Sequence, residues 1–587
     1  MATSNLYIGT QTQDLPTITN GTIDPAATNT GGLLIYAERG TAIAGNHVIT
    51  DPDQPLEIFG RFRSYYNGRY VIKGFLENLQ GEAGTLYVRR MQLTGAAASF
   101  RSVNNASASP TWKLWAGRRG LKDNGAWGNQ IMTTVLASSR GATTLTVATA
   151  AADTYVTVTS VALFEIGDWV TVSGASSYSG KVTQIDETLN RLYLSVAATG
   201  VNASGQAVTI IDRTIKVYLK DSDTGIISLV ETLSNITSST ESSRYWASVI
   251  NDVDTGSKYL FAEQLVTGQA GTFADLPVTV ADLVTNATAS TGGLEGTLLS
   301  TSEQAAELSN FDYNPIRWLA NAESFSETIW DDGEQYCNVR KDTVWVGSPT
   351  AGMTYTQLFD FATKKQKSRE IYAVNNGIWI NVEDPIGIGP DPLKTIPNVG
   401  HIMGFAIWIT TIRGIHKVPA SRVQTPVGIR SLYGEITDRA QIRDLANVGM
   451  NIMSSFGATF AVRSARTPSK AKEFTFINAT VMKIYFKKSF EESFVDLENE
   501  PNKPQLLTTM ADRMLRFALD FYNSSSNGGT EGGFAGGAFN DVVKIVANDS
   551  INPKKDVNNG ILKVNFYFAA PAPAERILIG CGLIFQQ

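Results

Sequence analysis

The stretch that most constrains this chain is its end, Ile561 to Gln587. From Ile561 to Phe568, Leu562, Val564, Phe566 and Phe568 alternate with Lys563, Asn565 and Tyr567, which predicts a half-buried strand. A stiff spacer, Ala569 to Arg576, follows, and its Pro571 and Pro573 lack the N–H that a central strand needs. A second strand pattern then runs almost to the end. Ile577, Ile579, Cys581, Leu583 and Phe585 share one face, with Leu578 and Ile584 between them and Gly580 and Gly582 keeping the other face thin. A chain end frays unless something ties it down, so an apolar terminal strand implies a partner. Two readings stay open: the strand folds back on its own sheet, or the spacer carries it to a neighbour's sheet edge as an added strand.

The rest of the chain sets the setting for that strand. At 587 residues, 43% hydrophobic and 18% charged, it exceeds what one core sustains and reads as about three or four folded domains. A net charge of −6 is small for this size and gives no bulk attraction to nucleic acid. Two cysteines, Cys337 and Cys581, do not make a disulfide framework. Met1 to Thr10 lacks the basic and apolar regions of a signal peptide, and the apolar run Ile402 to Ile412 is too short to span a bilayer. Synthesis and folding in a cytoplasm, without membrane insertion, are expected.

Residues 1–30 are polar and broken by Pro16, Gly21 and Pro25, with only Leu6-Tyr7-Ile8 strand-like, and predict an extended arm. A strand is then expected at Leu33–Ala37, helices at Pro55–Phe62 and Tyr70–Leu79, and a strand at Thr85–Arg90, which together suggest an α/β layer. From Ala98 to Asn310 the composition shifts to Ser, Thr, Ala, Gly and Val with short strands. Within it, Ala142–Asp212 reads as a self-contained small barrel. Its flanks, Gln130–Ala137 and Thr214–Lys220, are strand-like and would pair once the unit is excised, so it looks inserted on an exposed surface. From Phe311 the α/β character returns. Helices are expected at Tyr313–Ala322 and Tyr355–Arg369, strands at Thr343–Val346 and Gly377–Val382, and an apolar element at His401–Ile412. A helix is expected over Thr437–Phe456, with Ile442, Leu445, Val448 and Ile452 at helical spacing. Another is expected over Pro504–Tyr522, with Leu507, Met510, Met514, Phe517 and Phe521 inside and Asp512, Arg516 and Asp520 outside. The Gly/Ser-rich loop Asn523–Gly537 is expected to be exposed and flexible.

No catalytic, cofactor-binding or metal constellation emerges. His47, His401 and His416 share no ligand spacing with the cysteines. Gly174 to Val182 resembles a phosphate loop, but its spacer is one residue too long and Val182 stands where a hydroxyl is needed. Asp331-Asp332-Gly333-Glu334 lacks the alternating oxygen ligands of a calcium loop and reads as a solvated turn.

Several short stretches, in order, resemble the tail sheath proteins of contractile-tailed bacteriophages and related injection systems. They are Gly125-Ala126-Trp127-Gly128-Asn129; Arg340-Lys341-Asp342; and Pro397-Asn398-Val399-Gly400-His401-Ile402-Met403-Gly404, running on to Arg413–Ala420. Ala465-Arg466-Thr467, Glu500-Pro501-Asn502, Asp556–Gly560 and Pro573-Ala574-Glu575-Arg576-Ile577 complete the series. The sequence departs from the pattern at Asn5-Leu6-Tyr7-Ile8, where the family has Pro-Gly-Val-Tyr, at Ser464 in place of Gly, and in the insertion.

The resemblance implies a mixed α+β and α/β multidomain fold. It would comprise an α/β sheath core built from N- and C-terminal parts, a β-rich outer domain and a small inserted barrel-like unit. The implied division is an arm at 1–30, a middle domain of 31–97 with 311–424, and an outer domain of 98–137 with 213–310. The insertion is 138–212, the inner domain 425–568, and the C-terminal linker and swapped strand 569–587. It implies a structural, non-enzymatic subunit without cofactor that stacks as sixfold rings around an inner tail tube and contracts, with baseplate and tail terminator proteins as further partners. Such a particle is a virion tail assembled in the host cytoplasm. The implied intersubunit arms carry Leu6, Tyr7 and Ile8 at one end and Ile577, Leu578, Ile579, Cys581, Leu583, Ile584 and Phe585 at the other. The implied tube-facing helix presents Asp512, Arg513, Arg516 and Asp520.

Overall fold

The computed structural model describes residues 23–41, 45–222, 224–264, 277–366, 371–498, 500, 504–523 and 533–574. The arm residues Leu6, Tyr7 and Ile8 and the whole stretch 575–587 lie outside the described residues.

The fold is mixed α/β with several sheets. Its centre is a seven-stranded sheet in which Thr30–Ile35, Thr85–Arg90, Trp318–Asn321, Val344–Gly347, Ala373–Asn376 and Met450–Asn451 run parallel, with His47–Ile49 antiparallel at one edge. The first strand is flanked by the second and the third, the order of a doubly wound sheet. Five of its strands, Thr30–Ile35, Trp318–Asn321, Val344–Gly347, Ala373–Asn376 and Met450–Asn451, are buried along their whole length, so they show no alternation of inward and outward residues. That is why Tyr313–Ala322 is not the expected helix: after Pro315 the chain enters the strand Trp318–Asn321, all of it buried. Three apolar residues in a row, Trp318-Leu319-Ala320, fit either period.

Two helices lock together on this sheet. Helix α1, Gly68–Asn78, and helix α2, Val399–Arg413, approach unusually closely. A Cβ on Gly400 or Gly404 would collide with the backbone carbonyls of Val71 and Phe75, and one on Gly74 would collide with the His401 ring. The Gly-His-Ile-Met-Gly stretch is thus a contact between helices, and the expected apolar element there is a buried helix.

Other expectations need correcting. The helix expected over Thr437–Phe456 spans only Arg439–Asn447, because Gly449, at φ +80°, turns the chain into strands Met450–Asn451 and Met453–Phe456. Asp331–Glu334 is no solvated turn: it lies inside the helix Glu327–Arg340, with Glu334 buried and Asp331 paired to Lys365 at 2.8 Å. The helix expected at Pro55–Phe62 is the shorter Gln54–Phe59, ended at Gly60, and the strand expected at Ile561–Phe568 is confined to Asn565–Phe568. There Lys563 instead exchanges backbone bonds with the Asn552 amide.

The chain leaves and re-enters the β-rich region through a paired doorway. Ile131–Ser138 runs antiparallel to Asp212–Lys220, from Ser138 opposite Asp212 to Ile131 opposite Leu219. Between them is a six-stranded sheet whose end strands, Ala142–Thr144 and Tyr155–Thr157, meet at the Leu145–Val158 bridge. Two backbone bonds, Thr146 N to Thr157 O at 2.9 Å and Thr159 N to Thr144 O at 3.0 Å, close it. Val156, Val170, Val182, Leu192 and Val208 fill its own apolar core, separate from those of the parallel sheet and the outer strands. The phosphate-loop lookalike falls in this barrel, on and before its strand Tyr178–Asp186. At the doorway, Arg140 is paired to both Asp212 (3.0 Å) and Asp168, whose side chains are almost fully buried. Lys181 reaches Glu241 at 2.7 Å, and Ser243 donates to Glu165 at 2.5 Å.

Candidate assembly interface

The C-terminal region is organised by helix α3, Ile477–Ser493. Its first part, Ile477–Met482, is buried all round, while Lys483, Lys487, Lys488, Glu491 and Glu492 fall in the rest, so no single amphipathic stripe runs its length and its N-terminal half is a core helix. Phe486 is its centre: Phe490, Phe517, Phe521, Phe534, Phe566 and Phe568 all place their rings 5.0–6.1 Å from it. Such aromatic packing contributes beyond the area it buries.

Phe566 and Phe568 belong to a two-stranded sheet, in which Asn565–Phe568 runs antiparallel to Val543–Val546 from Val543 opposite Phe568 to Val546 opposite Asn565. The two rings dock on α3, while Tyr567 and Lys544 point outward. Among the described residues neither strand has a second ladder partner. Two bare strands are marginal on their own, and their unpaired edges are templates for further strands.

Both chain ends reach this neighbourhood through α3. The amide of Ala26 donates to Ser489 Oγ and that of Asp24 to Ser493 Oγ, each at 2.9 Å. Arg317 holds the Ala27 carbonyl at 2.9 Å and also reaches the Asp342 carbonyl. Asp342 itself accepts from Arg340 at 2.6 Å and pairs with Lys488 of α3 at 3.3 Å, which gives the Arg-Lys-Asp stretch a structural role. At the other end Asn478 Nδ2 donates to the Pro571 carbonyl at 2.7 Å and to the His416 carbonyl at 3.0 Å. The spacer is therefore fixed up to Pro571.

The expected tube-facing residues lie on helix α4, Pro504–Asn523, which packs on α3 through Phe517 and Phe521. Asp512, Arg516 and Asp520 are exposed, as expected. Arg513 is instead turned inward, its side chain 13% exposed and bonded to Asp496 at 2.8 and 2.9 Å. Leu515 and Leu519, which sequence reasoning left out, stand exposed between those charges.

Elsewhere the family-like stretches join parts of the fold. Trp127 is buried beneath Arg39, whose guanidinium lies 5.5 Å from the ring, and Asn129 exchanges two hydrogen bonds of 2.9 Å with Gly293. Beside them Arg90 and Asp123 form a buried pair at 2.7 Å. The amide of Arg466 donates to Asn451 Oδ1 at 2.7 Å and ties its strand to the parallel sheet. Pro501 and Asn502 lie outside the described residues.

The crevice where a doubly wound sheet receives a ligand is filled by the chain itself. Glu323, just past the strand Trp318–Asn321, accepts the amides of Asn67 (2.9 Å) and Gly68 (2.5 Å) at the start of α1. A carboxyl group so placed fills the seat that a helix N-terminus offers an anion, and burial pushes its pKa up to about 8 against the backbone amides that favour its charged form. A cavity of about 270 Å³ lies by His401, and the charges on its rim pair with each other, Lys73 with Glu77 at 3.8 Å and Arg430 with Glu383 at 3.1 Å. Burial drives the His401 imidazole down to about 3. Among the described residues no His, Cys, Asp and Glu cluster suits a metal ion, and no helix is long and apolar enough to cross a membrane.

No family model and no curated protein matches the chain. Solved structures similar to it include the anti-feeding prophage baseplate, 17% identical with a TM-score of 0.40 over 50% of this chain and 78% of that one. Another is the PVC sheath complex of an extracellular contractile injection system in the contracted state, 18% identical with a TM-score of 0.39 over 50% and 77%. A third is the sheath tail protein from Desulfitobacterium hafniense, 10% identical with a TM-score of 0.49 over 92% and 93%. The structural neighbours are tail sheath proteins of contractile injection systems and a sheath tail protein, at low sequence identity.

Proposed function

We propose that the chain is the sheath subunit of a contractile tail, polymerising as stacked sixfold rings around an inner tube and contracting to drive that tube through a cell envelope. The observation that carries this reading is the two-stranded sheet Val543–Val546 and Asn565–Phe568, which among the described residues has no further ladder partner at either edge, with the roots of both arms fixed on the helix beneath it. An N-terminal arm from one neighbour, bearing Leu6, Tyr7 and Ile8, and a C-terminal arm from another, bearing Ile577 to Phe585, would complete it. The ordered family-like stretches support the same reading: Trp127 and Asn129, Asp342 and the Gly400–Gly404 turn of α2 each join two parts of the fold, and the cavity that one stretch touches, beside His401, has a rim of charges paired with each other.

The domain division follows the resemblance: 1–30 and 569–587 as arms, 31–97 with 311–424 as the middle, and 98–137 with 213–310 as the outer part. The barrel of 138–212 is a decoration and 425–568 faces the tube. Asp512, Arg516 and Asp520 on α4 form the tube contact, with Leu515 and Leu519 between them. Arg513 supports α4 through Asp496. Contraction needs no nucleotide in this scheme, since an extended lattice assembled in a metastable state is released to a packing that buries more complementary surface. Baseplate and tail terminator proteins bound the sheath, in a phage virion or in a bacteriocin or extracellular injection particle. A sugar-binding surface protein, the reading that the barrel's Trp169 invites, finds no platform there, since that ring is 5% exposed.

Negative-stain microscopy of the purified chain tests the proposal. Tubes or stacked rings are expected, and dispersed globular monomers at all concentrations and salts would overturn it.

A further inference from the structure

We infer that α3 is the strut that carries tension between the two arms of one subunit, with Asn478 clamping the C-terminal arm and Ser489 and Ser493 clamping the N-terminal arm. The inference rests on the sheath reading above and adds the path by which one neighbour's pull reaches the other.

Three observations converge on it. First, α3 is the one helix, among the described residues, hydrogen-bonded to both arm roots: to Asp24 and Ala26 at one end and to Pro571 at the other. Second, the clamps share a stripe. At about 100° per residue, Asn478, Ser489 and Ser493 fall within about 60° of arc, and the two roots lie about 16–22 Å apart along the axis. The arms therefore leave the same side of one rigid rod from opposite ends. Third, the residue types are otherwise unfavourable. Asn and Ser inside a helix compete with its backbone bonds, and Asn478 and Ser489 are buried where apolar neighbours would pack. Among the described residues, Ser489 Oγ accepts from the Ala26 amide and Asn478 Nδ2 donates to the Pro571 and His416 carbonyls, while the buried Asn478 Oδ1 is left without a partner.

The rod is also braced sideways. The Phe486 cluster joins it to α4 and to the open sheet, Lys488 to Asp342, and Thr480 Oγ1 donates to the Ile371 carbonyl at 2.9 Å. A pull on either arm thus meets a buried helix rather than a loop, and the open sheet keeps its place between the roots while whole subunits move.

The test uses the full chain with Ser489→Ala plus Ser493→Ala, and separately Asn478→Ala. In the free subunit, hydrogen exchange at the Asp24 and Ala26 amides should speed up about tenfold in the serine double variant, with unchanged circular dichroism. Tubes of either variant should shed subunits about tenfold faster in guanidinium chloride than wild-type tubes. Unchanged exchange in the serine variant would overturn the clamps, even if Asn478→Ala fails to fold. Faster exchange with wild-type tube lifetimes would overturn the tension path. A wild-type chain that forms no tubes overturns the sheath reading and the strut with it. That failure is distinct, because exchange at Asp24 and Ala26 would still respond to the serine changes.

Discussion

In the barrel, the strand Ala142–Thr144 at one end of the sheet meets Tyr155–Thr157 at the other through the Leu145–Val158 bridge, whereas in the C-terminal region Val543–Val546 and Asn565–Phe568 pair, among the described residues, with each other alone. The barrel fills its interior with its own Val and Leu side chains. The C-terminal pair borrows its core from α3, through Phe486 and Phe490. One unit has settled every edge and enters and leaves by a paired doorway sealed by Arg140. The other, among the described residues, leaves both strand edges without a ladder partner on a firmly packed base. A protein that avoids self-association blunts such edges. On the sheath reading proposed above, these edges receive partner strands, whereas the closed barrel stands by itself.

The difference can be broken most forcefully at its base. Phe486→Ala should cost about 3–5 kcal/mol and unfold the C-terminal region in denaturant while the barrel's transition stays in place. A single unshifted transition would show that the aromatic cluster does not hold the open sheet.

Acid separates the regions next. His401 is neutral in the fold, with its pKa lowered by burial from 6.5 to about 3. Below pH 6.5 the unfolded chain binds the proton and the folded one does not, so stability falls as pH drops from 6.5 toward 3. The loss at pH 4 is about 3 kcal/mol, and none of the histidines lies in the barrel. Urea titrations at pH 7 and pH 4 should show the core weakening, and His401→Gln should remove that part. An equal pH slope in the variant would contradict the assignment.

Gly404→Ala sharpens the same contrast at the α1–α2 contact. The added methyl meets the Phe75 carbonyl, and overpacking of this kind costs about 1–3 kcal/mol. A variant as stable as the wild type in thermal melts would mean that the helices can separate freely. Excising 142–211 behind a short Gly/Ser linker should leave the stability of the remaining core within about 0.5 kcal/mol and leave tube formation intact. Loss of polymer with the fold retained would make the barrel an assembly element. The smallest expected effect is that of Arg516→Glu, since an exposed charge contact is worth about 0–1 kcal/mol. It should lower the yield of sheathed tubes, and an unchanged yield would remove α4 from the tube-facing side. Arg516 is the cleaner probe than Arg513, whose reversal also breaks the pair with Asp496.

Much of this was legible in the sequence where a period or a turn residue is unambiguous. The strand Thr85–Arg90 and the helix from Pro504 match their patterns, and the flanks of the insertion pair with each other. Elements buried on every side were not legible. Trp318–Asn321 has no alternation to show, and α3, buried throughout Ile477–Met482 and with its charges gathered beyond, offers no single stripe to detect. The sequence marks Leu6-Tyr7-Ile8 and Ile577 to Phe585 as the proposed arms by composition, and those residues lie outside the described ones. Their anchor was invisible for another reason. Ser489 and Ala26 lie 463 positions apart, and no local pattern marks a serine that bonds a distant backbone amide. The inward turn of Arg513 likewise depends on Asp496, on a neighbouring element.

The most direct test of the account is the chain cut after Ala574. It keeps the two-stranded sheet, both arm roots and every clamp on α3, and removes only residues 575–587, the proposed terminal strand. The account predicts a folded monomer, with wild-type circular dichroism and a single slow boundary in sedimentation velocity, that forms no tubes at concentrations where the full chain does. Tubes from the truncated chain would contradict the claim that this strand joins one subunit to the next. An unfolded or aggregated product would show instead that the strand belongs to its own subunit's sheet.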